Sequence, residues 1–304
     1  MGIIIAEYLG QRTDVDNPII NPVSGSALCP FTSGNPCNKL TRRQHPVCSV
    51  RRPDGTLYIV CAERLCSTKI NIPLCQHQKE ILHTIAKKLY DPSVSYSDVC
   101  VKREVPLEVV QGTSYSADYV MSLSTGRTEY PGPDRLVLEM QGGGDTQGTG
   151  KSTAIANAWA ANPNRTNSML RVESQGGAAN VTGTWRRQQE QFIVKGSIAM
   201  KTWKGYGIAF CVGSLMYDYL MNKLSSAYLP NLRNYNWTLA VIAIKEDTNA
   251  PIIPGPIPLT IDESKMLFTN YQTFVQALIN QGEPTLSAFR GIFVNLNNDE
   301  VNIP

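Results

Sequence analysis

Apolar positions along this chain recur with two different periods, and the change from one to the other marks the elements. From Pro73 to Tyr90, Leu74, Ile81, Leu82, Ile85 and Leu89 return at helical spacing until Asp91-Pro92 ends the run. Strand-like stretches follow over Glu104 to Val110, Ser114 to Leu123 and Arg135 to Gln141, with Gly and Pro in the gaps. The second half predicts helices over Ser152–Ala161, Trp185–Thr202 and Val212–Leu224, then a strongly β run from Trp237 to Ile244. The Pro-rich stretch Pro251–Pro258 leads to an extended segment and a helix near Tyr271–Asn280. No internal repeat is visible. Helices mixed with a central sheet predict an α/β or α+β fold.

The first 72 residues differ from the rest. They are rich in Pro, Gly, Asn and Arg, a loop-dominated composition with a weak core of its own. Of the 8 cysteines, Cys29, Cys37, Cys48, Cys61, Cys66 and Cys75 crowd this end, and only Cys100 and Cys211 lie outside. A segment of that kind needs a staple, which a metal would supply. We therefore divide the chain into a module over 1–72 and a core over 73–304.

At 304 residues, 42% hydrophobic and 17% charged, the composition excludes a disordered chain. A net charge of +3 permits a polyanionic partner if the positive charge is gathered on one face. The opening apolar run, Ile3 to Ala6, is too short for a signal-peptide core. No stretch approaches the ~18 apolar residues of a membrane span. These features predict a cytoplasmic protein with no membrane partner. In a reducing compartment clustered thiols bind metal more often than they pair as disulfides.

In a strand over Asp134 to Gln141, Leu136, Leu138 and Met140 share one face, while Val137, Glu139 and Gln141 share the other. Glu-x-Gln on the second face resembles the Asp…Glu-x-Lys signature of nucleases, with Gln in place of Lys. The signature needs a carboxylate upstream on a neighbouring strand. Asp118 lies 21 positions before Glu139, and Glu104 a further 14 upstream is a candidate third acid. The rival for the first position is Asp134, which follows Pro133 but leaves no room for a separate strand. Clustered carboxylates repel one another, and a divalent cation such as Mg²⁺ resolves the repulsion. Ordinary surface carboxylates at strand ends are the alternative.

The Gly-rich loop Gly142 to Gly150, followed by Lys151 and Ser152, looks like a phosphate cradle. A P-loop, however, requires Gly where Asp145 stands. A nucleotide-dependent enzyme is therefore a minor alternative, and Lys151 is a candidate contact to a DNA phosphate. Cys29, Cys37, Cys48 and Cys61 are spaced C-x7-C, C-x10-C and C-x12-C, unlike the knuckles of common zinc ribbons. Four thiolates favour a tetrahedral zinc or iron site, with Cys66 and Cys75 as spares. Scattered buried cysteines are the plainer alternative.

The segments around these cysteines, with Ile4-Ile5-Ala6-Glu7-Tyr8-Leu9-Gly10-Gln11-Arg12 before them, resemble the four-cysteine region of the NotI family of restriction endonucleases. Val137-Leu138-Glu139-Met140-Gln141 is similar to that family's catalytic strand, and Ala117-Asp118-Tyr119 to the strand before it. Trp185-Arg186-Arg187, Gly205 to Ala209 and Trp237 to Val241 extend the likeness in order over most of the chain. The resemblance implies a bacterial type II restriction endonuclease with a PD-(D/E)xK core. It also implies a structural iron on Cys29, Cys37, Cys48 and Cys61, and a homodimer that cuts palindromic double-stranded DNA with no other protein required. The implied catalytic set is Glu104, Asp118, Glu139 and Gln141.

On this reading Asp118, Glu139 and the Met140 carbonyl ligate Mg²⁺, Glu104 completes a second metal position, and water attacks the phosphorus in line. The Gln141 amide orients that water. The cysteine site lies away from the chemistry and stiffens a DNA-facing module. Arg135, Lys151, Arg186 and Arg187 are candidate DNA contacts, with phosphate binders and base readers not distinguished. The competing class is a metal-stapled DNA-binding protein without catalysis, which needs no acidic cluster.

Overall fold

In the computed structural model, residues 2–17, 26–107, 115–124, 131–143, 146–147, 149–175, 177–202, 206–224, 229–280 and 286–304 are described. The chain opens with β1 (Ile4–Tyr8), which turns through Leu9 and Gly10, both at positive φ, into β2 (Gln11–Arg12). Next come the one-turn helix α1 (Asn38–Thr41), β3 (Val47–Arg51), β4 (Leu57–Ile59) and the short helix α2 (Ala62–Cys66). The strands form an antiparallel sheet in the order β2-β1-β3-β4.

Helix α3 (Gln76–Leu89) follows, where the apolar spacing predicts a helix. Gln78 returns its side chain to the amide of Cys75 at 2.8 Å, which closes the first turn. Ile81, Leu82, Ile85, Ala86 and Leu89 are buried against the sheet, each larger side chain contributing about 1.5–3 kcal/mol of transfer free energy. Then β5 (Val99–Leu107), β6 (Tyr115–Leu123) and β7 (Arg135–Gln141) run as an antiparallel meander.

After β7 the chain passes through β8 (Thr146–Gln147), α4 (Thr149–Ala161), β9 (Ala178–Ala179) and the long α5 (Val181–Thr202). It returns as β10 (Gly207–Gly213), parallel to β7. Helix α6 (Ser214–Lys223) crosses to β11 (Leu239–Glu246), parallel to β10. An antiparallel β12 (Leu259–Thr269), α7 (Tyr271–Ile279) and an exposed hairpin of β13 (Gly291–Val294) and β14 (Glu300–Ile303) complete the fold. The result is a mixed α+β protein built on a central sheet ordered β12-β11-β10-β7-β6-β5 among the described residues. No helix among them is long and apolar enough to cross a membrane.

The two faces of that sheet bury separate cores. Leu136, Leu138, Met140, Ala209, Cys211, Ala240 and Ile242 face α2 and α3. Val137, Ile208, Phe210, Val212, Leu239 and Val241 face α5, α6 and α7. Because β10 and β11 are covered on both sides, they read as near-continuous apolar runs, and β7, equally covered, departs from this at Glu139 and Gln141. That explains one correction: the helix predicted from Val212 begins at Ser214, since Val212 and Gly213 end β10. Apolar periodicity cannot separate a doubly buried strand from a buried helix. Strand β5 starts earlier than the predicted Glu104; the predicted ends at 108–110 and at Ser114 lie outside the described residues.

The N-terminal sheet rests on later parts of the chain. Ile5 and Tyr8 pack with Ala156 and Trp159 of α4 and with Leu170. Glu7, fully buried on β1, accepts Arg64 Nε at 2.8 Å, Ser49 Oγ at 2.5 Å and the Ile257 amide at 2.8 Å.

Candidate functional site

The site lies where β6 and β7 part. Their antiparallel ladder ends at the pair Tyr119↔Leu138, so the next residues, Asp118 and Glu139, face each other without backbone pairing. Two amides freed by the splaying are taken up by the carboxylates. The Met140 amide donates to Asp118 Oδ2 at 2.8 Å, and the Asp118 amide donates to Glu139 Oε1 at 3.3 Å. Each acid is thus held by the other's strand, at the end of β7 that leads into the crossover.

Glu104 completes the row. The β5–β6 register passes from Arg103↔Tyr119 to Val105↔Ala117, which leaves Glu104 opposite Asp118. Glu104 adopts φ +45°, a left-handed conformation unusual for a residue with a side chain, and its carboxylate accepts the Thr68 hydroxyl. The three acids proposed from spacing therefore stand on three adjacent strands. Asp134, the rival, is exposed at the far end of β7.

The electrostatics follow from burial. Glu139 is 8% exposed, and burial, then the neighbouring Asp118, push its carboxyl up to about 8. Burial raises the Asp118 carboxyl as well, and Glu104 adds to the shift. Against this, Lys195 on α5 donates its Nζ to Glu139 Oε2 at 2.7 Å. Lys195 was not singled out from the sequence. The signal was present: Trp185, Gln188, Phe192, Lys195 and Ala199 fall on one helical face, and a lysine interrupts that otherwise inward-facing stripe.

Beside the acids opens a cavity of about 250 Å³. Its floor is apolar, from Phe192, Phe210 and Met216, and its rim carries Gln141, Gln188 and Gln191. Gln141 shares the Glu139 face of β7, as alternation predicts. That face is not open to solvent, because α5 and α6 cover it. Gln141 is half-buried, and its amide donates to the Gly142 carbonyl at 3.2 Å.

The candidate DNA contacts lie on three different elements. Arg135 is exposed at the start of β7, its guanidinium 5.6 Å from the centre of the Tyr206 ring, roughly 13 Å along the strand from Glu139 at strand rise. Arg186 and Arg187 are exposed near the start of α5. Lys151 lies in α4, and its side chain is outside the described residues. Residues 144, 145 and 148 of the Gly-rich loop are also outside them. In its described part, the Gly143 amide is committed to the Ile59 carbonyl at 2.7 Å, and a Cβ on Gly143 would meet the Tyr58 ring at 2.0 Å. These glycines let the chain pass close to β4.

The cysteines proposed as ligands converge. Cys29, Cys37 and Cys48 are buried in one small cluster with Phe31, and the Cys61 amide donates to the Cys48 carbonyl at 3.1 Å. No three His, Cys, Asp or Glu side chains among the described residues are drawn into a closed metal-binding group, either here or at the acids. The donor chemistry nevertheless suits a thiolate-bound metal. The Gly10 amide, carried by the β1–β2 turn, donates to Cys48 Sγ at 3.3 Å. Phe31 bonds Cys29 through its backbone, and Glu63 and Arg64 do the same for Cys61. Burial holds the Cys29 thiol up at about 11 and raises Cys48 and Cys61 too, so without a cation these thiols stay protonated. A metal would reverse that. Cys66 lies apart, its sulfur 3.3 Å from the Tyr119 hydroxyl, and Cys75 precedes α3.

Distance along the chain separates the cysteines from the acids, but the fold joins them. Cys61 is the residue from which α2 starts, and Ala62, Glu63 and Cys66 of α2 line the cavity beside Asp118. The chain matches no family model and no curated protein.

Proposed function

We propose that this chain is a metal-dependent DNA endonuclease of the type II restriction class, with a PD-(D/E)xK-type core and a four-cysteine metal module. The observation that carries the reading is the paired acids at the β6–β7 notch: Asp118 and Glu139, buried, on neighbouring strands and each bonded to the other's backbone. Two such carboxylates are unfavourable as bare anions, and a divalent cation is the partner that lets both ionise.

Asp118, Glu139 and the Met140 carbonyl are the groups that would hold Mg²⁺, with Glu104 available for a second ion. Bound there, Mg²⁺ would supply Lewis-acid stabilisation of the charge developing on the scissile phosphate and would activate water. The chain's own contribution is to fix the two carboxylates in advance, through the amide bonds across the notch, and to keep bulk water from one side of the site. Gln141 has no proton to exchange near neutral pH; its amide, at the cavity rim, orients water by hydrogen bonding.

Cys29, Cys37, Cys48 and Cys61 would hold a structural iron or zinc, and the family resemblance favours iron. That ion would tie α1, β3 and the start of α2 together. The partner is double-stranded DNA. A palindromic target matches a homodimer, since two-fold symmetry in the protein mirrors that of the site.

The test is digestion of supercoiled plasmid of known sequence with Mg²⁺ and with EDTA. Discrete fragments with Mg²⁺ alone support the reading. DNA binding without cleavage under any divalent ion would favour a metal-stapled binding protein, and a requirement for ATP would favour a nucleotide-dependent enzyme.

A further inference from the structure

We infer that Lys195 is the cationic catalytic residue of this site, delivered by helix α5 rather than by the catalytic strand, and that it competes with the divalent ion for Glu139. The inference rests on the nuclease reading above and gives it a residue which the Glu-x-Gln strand lacks.

The argument begins with where Lys195 lies. It is 5% exposed, on the inward face of α5, among the residues that cover the sheet. Burying an ammonium is unfavourable unless it is paired, and a buried ion pair is often no more stable than apolar side chains of the same volume. Phe192 and Ala199, on the same stripe, follow the apolar rule. Lys195 breaks it and places Nζ 2.7 Å from Glu139 Oε2. Packing alone gives no reason for that choice.

Chemistry does. Hydrolysis of a phosphodiester builds negative charge on the phosphate oxygens, and a fixed cation in a water-poor site stabilises it. Gln141, at the strand position where the signature has lysine, is neutral and donates to its own neighbour's carbonyl. Lys195 reaches the Glu139 carboxylate from α5, the helix that covers this face of β7. Without metal, the ammonium is held on Oε2 of Glu139. With a divalent ion held by the acids, the ammonium would be freed from Glu139 to donate to a non-bridging oxygen of the scissile phosphate.

Two cations sharing one carboxylate oxygen oppose each other, so a structural role and this role predict opposite effects on metal binding. Lys195→Met should bind Mn²⁺ at least about tenfold more tightly, because the competitor is gone, while cleaving DNA roughly 10²–10³-fold more slowly, the scale for removing one transition-state donor. Lys195→Arg should keep Mn²⁺ affinity near wild type and retain part of the cleavage. Gln141→Ala should lose less than about tenfold. Titration of the protein with Mn²⁺ by calorimetry, beside single-turnover cleavage, reads both. Weaker Mn²⁺ binding in Lys195→Met, or wild-type cleavage by it, overturns the inference. If Lys195→Met does not fold, Lys195→Gln and Lys195→Arg carry the same comparison. Should wild type cut no DNA, the nuclease reading falls, yet tighter Mn²⁺ binding by the Lys195 variants, abolished by Asp118→Asn, would still support the competition.

Discussion

The Asp118 amide donates to Oε1 of Glu139 at 3.3 Å, and with the Met140 amide on Asp118 it replaces the ladder bonds that β6 and β7 give up at this point. Backbone donors are thereby satisfied by acids rather than by carbonyls. The notch is held open, and two carboxylates that would otherwise separate are held together.

Removing either acid should stop the chemistry while leaving DNA contacts intact. Glu139→Ala and Asp118→Asn are each expected to reduce cleavage by roughly 10³-fold or more. Binding of cognate DNA in Ca²⁺, measured by gel shift, should stay within about threefold of wild type. An active Asp118→Asn enzyme would return the assignment to Asp134.

The raised Glu139 carboxyl makes a prediction about pH. In the folded, metal-free protein it keeps its proton up to about 8, against 4.5 for the ordinary group. A raised folded value contributes stability that is complete below the unfolded value and is lost as pH rises through the folded one. Metal-free Tm should therefore fall between about pH 5 and pH 9, and the Tm increase given by Mn²⁺, which needs the ionised acid, should grow over the same interval. Glu139→Gln should flatten both trends in scanning fluorimetry. A metal-free Tm that climbs across this range would contradict the assignment.

For the cysteines, elemental analysis should find one iron or zinc per chain. Iron would colour the oxidised protein through thiolate charge transfer; zinc would not. Serine at Cys29, Cys37, Cys48 or Cys61 should release the metal, whereas serine at Cys66 or Cys75 should not. Because Cys61 opens α2, whose residues line the cavity, Cys61→Ser should also slow cleavage. Metal retained by Cys61→Ser but lost from Cys66→Ser would replace the ligand set.

The buried pair Glu7–Arg64 should matter most for folding. Both side chains are fully buried, and Glu7 also serves Ser49 and the Ile257 amide. Glu7→Ala strands a guanidinium in the interior and is expected to lose about 3–5 kcal/mol in urea denaturation. Glu7→Ala combined with Arg64→Met should recover part of that. An effect below about 1 kcal/mol for Glu7→Ala would show that the pair is solvated in solution.

Much of the architecture could be read before any coordinates. Helix α3 and strand β7 followed from local periodicity, because each presents a face whose burial depends only on its own spacing. Asp118, Glu139 and Glu104 followed from the number of residues needed to make neighbouring strands. Two kinds of fact could not be obtained that way. One is whether a strand's second face meets water or a second layer: alternation puts Gln141 on the face of Glu139, and only the return of α5 and α6 over that face makes it half-buried. The other is which distant side chain arrives at a given atom. Lys195 is 56 residues from Glu139 in sequence, and Cys61 meets the cavity through one short helix. Spacing along a chain encodes local geometry, while crossover and layer packing decide long-range contact, so the juxtaposed acids were legible and the lysine beside them was not.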